Sequence, residues 1–221
     1  MSIYATTYTF TRETRRILAV VSIFLITAFA FAGAPTSAQA QMASFEDAKG
    51  EMSIGNADAP VTLHEYASLT CGHCANFHKN TLPKIKKQYI DTGKVRVVFH
   101  DFPLDALAMG AVMIARCSGP DRFADFTDML FQTQSTWRDA DNPLPALKTL
   151  AQFYGLKGDD VQTCLNNQDL LKSVQSNQKA ASARHKIRST PSFVLDGELI
   201  EGAQPFDNFK AALDKSLAAH Q

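Results

Sequence analysis

The sequence predicts an α/β fold in which a βαβ unit and a later ββα unit share one sheet, with an all-helical subdomain inserted between them. Three observations predict it. Two runs rich in β-branched and aromatic residues, Val61 to Ala67 and Val95 to Phe99, flank a segment with apolar residues at helical spacing. From Leu104 to about Lys186 only helical patterns occur. Then Ser192 to Leu195 and Glu198 to Ile200 are joined by Asp196-Gly197, a hairpin signal, ahead of a last helical stretch from Pro205 to Ala219.

The first segment stands outside that fold. Arg12, Arg15 and Arg16 precede an apolar run from Ile17 to Ala32, and Ala38-Gln39-Ala40 supplies the small-x-small pattern that a signal peptidase cuts. The run is short for a membrane span, so residues 1–40 read as a signal peptide and the mature chain as starting near Gln41. Cleavage would remove three basic residues and one acidic one, leaving 19 against 21 in 181 residues. A near-neutral domain of that size holds one sizeable core, and neither nucleic acid nor an anionic membrane surface is an expected partner.

Residues 41–60 are polar and turn-rich, with Gly50, Gly55, Asn56, Asp58 and Pro60, and read as an N-terminal arm. Val61 to Ala67 alternates loosely, as a half-buried strand does. Beyond it, Phe77, Leu82, Ile85 and Tyr89 mark a helix from Ala75 to Ile90 with Pro83 as a kink, and Asp91-Thr92-Gly93 ends it. Val95 to Phe99 then closes a parallel βαβ unit with a right-handed crossover. Helical runs follow over Leu104 to Cys117, Phe123 to Gln134, Pro145 to Tyr154, Asp159 to Leu165 and Asp169 to Ile187, separated by Gly, Pro and Asn. Residues 61–103 and 187–221 thus form the sheet domain and 104–186 the insertion. The insertion's Met109, Met113, Phe123, Phe126, Met129, Phe131, Trp137, Phe153 and Tyr154 read as its own core.

Chemistry concentrates at Cys71-Gly72-His73-Cys74, directly after the first strand, where open α/β sheets place their sites. Two thiols three positions apart on the first turn of a helix can close into a disulfide or open into a dithiol. Cys71 would face unpaired N–H groups and the positive end of the helix dipole, which favour thiolate, and a cationic His73 would add to that. Stabilising the thiolate stabilises the reduced form, so the disulfide becomes an oxidant. Glu65 shares strand parity with Val61 and Leu63, which points its carboxyl into the core beneath Cys74, where a buried carboxyl can relay a proton; the alternative is a solvated surface residue.

All four cysteines fall after the export segment, in a compartment where disulfides persist. Pairing Cys71 with Cys74 leaves Cys117 with Cys164, a structural bond worth roughly 4 kcal/mol by loop-closure entropy; two free buried thiols are the alternative. His78 lies four residues past Cys74, but with no second Cys-x-x-Cys pair no metal is expected, and His64, His100, His185 and His220 read as ordinary polar residues.

Three separated signals, the Cys-x-x-Cys after the first strand, the helical insertion, and Thr190-Pro191 just before the hairpin strand, together resemble a DsbA-like thiol:disulfide oxidoreductase of the thioredoxin superfamily. The resemblance covers nearly all of residues 41–221. It implies a thioredoxin fold, no cofactor, and a substrate-binding cis-proline loop at Thr190 and Pro191 facing the cysteines, with Gly72 also at the substrate surface. It further implies periplasmic action on reduced, unfolded exported proteins and reoxidation by a quinone-linked membrane protein. Two positions depart from the enterobacterial members: Gly72 stands where they have Pro, and Thr190 where they have Val. Cys-Gly-His-Cys is also a protein disulfide isomerase motif and Thr before the cis-proline recurs in bacterial isomerases, so an isomerase or reductase is the runner-up. The twenty residues before Val61 are too few for the dimerisation domain of bacterial isomerases, which favours a monomeric oxidase. A different class, an exported metal-handling or peptide-binding protein with incidental thiols, is the third reading.

Overall fold

The computed structural model describes residues 42–220; the predicted signal peptide lies outside the described residues. Strands β1 (Met52–Ile54), β2 (Val61–Ala67), β3 (Val95–Asp101), β4 (Ser192–Leu195) and β5 (Glu198–Glu201) form one sheet in the order β1-β3-β2-β4-β5. β2 and β3 run parallel and the other pairings are antiparallel. This is the predicted βαβ and ββα architecture with one strand more. The arm over residues 41–60 is not irregular: it contains helix α1 (Phe45–Lys49) and β1, which pairs with β3 at Met52 and Phe99. Arg116, 5% exposed, holds the arm in place by donating to the carbonyls of Ala48 and Gly50 and to the Asp101 carboxylate.

The predicted single helix over Ala75 to Ile90 is three segments: α2 (Gly72–Asn80), α3 (Leu82–Ile85) and a π-helical turn (Lys86–Ile90). Pro83 lies in the first turn of α3, where its missing N–H costs nothing, so the chain breaks at Thr81 instead of bending within one helix. The insertion is α4 (Ala106–Arg116), α5 (Pro120–Gln132), α6 (Gln134–Arg138), α7 (Pro143–Phe153), α8 (Gly158–Asn166) and α9 (Gln168–His185), and α10 (Phe206–Ala219) closes the chain. Local chemistry sets these starts: Asp105 and Asn167 accept from the N–H groups of Ala108 and Leu170, and Pro120 follows Gly119 at a φ of 87°.

Strand parity sorts the two faces of the sheet. On one, Phe193 of β4 packs on Phe77 of α2 and Phe209 of α10, with ring centroids 4.5 and 4.8 Å away. Tyr66, Val194 and Ile187 form a smaller cluster on the other, against Ala181 of α9. Phe123, Phe126, Phe131 and Trp137 are buried in the insertion as expected, whereas Phe153, at the end of α7, is 86% exposed. Cys117 and Cys164 are joined by a disulfide between the end of α4 and α8.

Candidate active site

Cys71 is the N-cap of α2. Its sulfur accepts the N–H of Cys74 at 3.4 Å and its own S–H is directed at the Thr190 carbonyl, 3.3 Å away. Helical winding then carries Cys74 inward: Cys71 is half-buried, whereas Cys74 is 0% exposed. Environment separates the two thiols. A hydrogen bond from the Cys74 thiol is the largest influence on Cys71; Thr190 and the backbone N–H groups of Cys74 and His73 reinforce it, and against the opposing effect of burial they bring Cys71 down to about 5. Cys74 is driven strongly upward, first by burial, then by Cys71 and the negative charge of Glu65.

Two loops and two layers of the fold meet at these sulfurs. The Thr190–Pro191 peptide is cis and Pro191 is buried directly ahead of β4. Gly72 and His73 are exposed at the tip of α2, and a Cβ on Gly72 would meet only the Arg138 guanidinium, at 3.9 Å. Glu65 is 0% exposed, in register with Phe99 on one side and Phe193 on the other. It accepts or shares a proton with His78 Nε2 at 2.9 Å. Burial disfavours charge on His78, but Glu65 and then Asp128 outweigh it and hold the imidazole up at about 9.

Several of these partners were not read from the sequence. His78, weighed in the sequence only as a ligand of a metal site that is not expected, is instead bound to a carboxylate on β2. Gln134 and Arg138 carried no signal. Buried Gln134 donates to the carbonyls of Leu69 and Cys71 at 2.8 and 3.0 Å, and Arg138 to that of Thr70 at 3.2 Å. From the other side the Thr70 hydroxyl donates to Asp105, the N-cap of α4, at 2.7 Å. The insertion therefore clamps the loop that presents Cys71. His64 and His100, read as ordinary polar residues, lie 2.9 Å apart on the opposite sheet face, where burial first and His64 next push His100 down to about 4.

A family profile described as Thioredoxin matches residues 47–215, most of the chain. The chain belongs to the thioredoxin family. Within that family it is similar to a Rickettsia prowazekii protein provisionally named a protein-disulfide oxidoreductase, 31% identical over 79% of this chain and 64% of the relative. The chain thus spans just under two thirds of that relative's length. Disulfide bond formation protein D of Bacillus subtilis is 26% identical over 76% of this chain and 78% of its own. Among solved structures, Wolbachia pipientis alpha-DsbA1 aligns with a TM-score of 0.72 at 29% identity, covering 77% of this chain and 92% of that one. The thioredoxin sheet with a helical insertion is common to both, and the DsbA-like resemblance drawn from Cys71-Gly72-His73-Cys74, the insertion and Thr190-Pro191 agrees with these matches.

Proposed function

We propose that this chain is an exported protein thiol:disulfide oxidase that introduces disulfides into other proteins. The carrying observation is the asymmetry of the two thiols: an accessible Cys71 brought down to about 5 above a Cys74 that is fully buried. A substrate thiolate attacks Cys71 Sγ; the substrate–Cys71 bond forms, the Cys71–Cys74 bond breaks and its electron pair leaves on Cys74. The substrate's second thiolate then attacks the substrate sulfur of that mixed disulfide and expels Cys71. Cys71 departs easily because its thiolate is stable, and two electrons have passed from substrate to protein.

Glu65 passes a proton to and from Cys74, and Thr190 and Pro191, beside the exposed Gly72, line an extended substrate segment. Export to the periplasm is supported by the basic and apolar pattern of residues 1–40. No helix among the described residues is long and apolar enough to cross a membrane. A membrane oxidant would restore the Cys71–Cys74 disulfide. No metal or cofactor has a part in this chemistry.

The test compares two substrates. The oxidised protein is expected to form disulfides rapidly in reduced ribonuclease and to rescue scrambled ribonuclease poorly. Efficient rescue of the scrambled form with slow oxidation would move the reading to the isomerase that the Cys-Gly-His-Cys motif and Thr190 leave open.

A further inference from the structure

When the active-site disulfide opens, an electron pair lands on a sulfur that is 0% exposed and whose environment disfavours charge. Cys74 must therefore receive a proton in step with the exchange, and must lose it again when the disulfide re-forms. The Glu65 charge acts on it, but Glu65 is itself 0% exposed and cannot exchange protons with water unaided. Among the described residues the side chain hydrogen-bonded to Glu65 is the His78 imidazole, and both line a small cavity that Asp101 and Thr127 also border.

His78 is 1% exposed and stacks on Phe131 of α5 with ring centroids 4.0 Å apart. Its two nitrogens face opposite ways. Nε2 is 2.9 Å from Glu65 Oε1, and Nδ1, buried and without a hydrogen-bond partner, lies 3.6 Å from Oδ1 of Asp128 on α5. The Asp128 side chain is 47% exposed. Glu65 from β2 and Asp128 from α5 are the two titratable groups that act on His78; Phe99 of β3, Phe131 of α5 and Phe77 of its own helix supply apolar rings. The second Glu65 oxygen, Oε2, is buried and makes no hydrogen bond, which leaves a lone pair for a proton in transit.

We propose that His78 and Asp128 carry protons between solvent and Glu65, so that buried Cys74 is protonated and deprotonated without the core opening. This rests on the oxidase reading and on Glu65 serving Cys74. As the Cys71–Cys74 bond breaks, the imidazolium gives its Nε2 proton through Glu65 to Cys74 Sγ; the neutral imidazole keeps its Nδ1 proton, and a half-turn of the ring presents the bare nitrogen to Asp128, where a proton from water restores the imidazolium. Re-forming the disulfide runs the same protons outward. Both residues act through Glu65 and touch no reacting sulfur. A buried Glu65–His78 pair with a purely structural role would not need the half-exposed Asp128 beside Nδ1.

The experiment follows reduction of the Cys71–Cys74 disulfide by glutathione, with each rate divided by the glutathione thiolate fraction. Wild-type rates are expected to stay level through neutral pH and to fall above about 9, where His78 loses its proton. Asp128→Asn, at a half-exposed position, is expected to slow the plateau by about a hundredfold and to shift the falling limb to lower pH. His78→Gln keeps a donor toward Glu65 but cannot carry a proton, so the limb is expected to vanish. Wild-type profiles in both variants, with Glu65→Gln slow, would overturn the route and leave the role of Glu65 standing. If wild type oxidises reduced ribonuclease no faster than Cys71→Ser does, the oxidase reading itself fails.

Discussion

Cys71→Ser lowers the oxidation of reduced ribonuclease to the rate seen with no protein added. Of the two, only the Cys71 sulfur is open to an incoming thiolate, since Cys74 is 0% exposed on the inner side of α2. Serine cannot form the disulfide that is the oxidant, and its hydroxyl is neither a thiolate nor a leaving group at neutral pH. Cys74→Ser fails differently. Offered scrambled ribonuclease, its Cys71 thiolate attacks a substrate disulfide, forming a mixed disulfide as the substrate's other sulfur leaves as thiolate, and with no thiol at position 74 to resolve them these species accumulate as cross-linked bands on non-reducing gels. Undiminished ribonuclease oxidation by Cys71→Ser would end the enzymatic reading and return the chain to a binding role.

Removing the second pair, Cys117→Ala with Cys164→Ala, acts on stability instead. The bond closes a sequence separation of 47 between two fully buried positions. Loop-closure entropy puts its contribution near 4 kcal/mol. For a domain of this length each kcal/mol moves the melting temperature by about 2–4 °C, so a drop of about 8–16 °C is expected on thermal unfolding. The midpoint of the Cys71 titration should not move, because the bond ties helices of the insertion to each other and not to α2. A drop of less than about 2 °C would show that the linkage adds little to the folded state.

What could be read in advance follows from how local each signal is. Val61 to Ala67 announces β2 by composition and alternation, and that parity alone turns Glu65 inward, where it is found. Strand β1 had no such signal. Met52-Ser53-Ile54 is too short to show a period between turn-forming neighbours, and its place depends on β3 and on Arg116, about sixty residues away. The site divides the same way. Cys71 and Cys74 are legible because their spacing is their chemistry, and Thr190 and Pro191 through the family resemblance, which places a proline loop before the hairpin strand. Asp128, Gln134 and Arg138 are polar residues on helices that alternate like any others. Their roles exist only once α5 and α6 are packed against α2 and the loop before it.

Thiolate stabilisation links the site's geometry to its function, and it also has a pH signature. Because Cys71 is lowered in the folded state, it stabilises the reduced protein fully above the unfolded thiol's value, about 8.5, and that stabilisation is lost as pH falls through about 5. Acidification should therefore narrow the gap in stability between reduced and oxidised forms. The most direct measurement is the ultraviolet thiolate absorbance of the reduced protein as a function of pH, with Cys71→Ser as the blank. The account predicts one transition centred near 5 that disappears in the variant; a transition near 8.5, that of a free thiol, would contradict it.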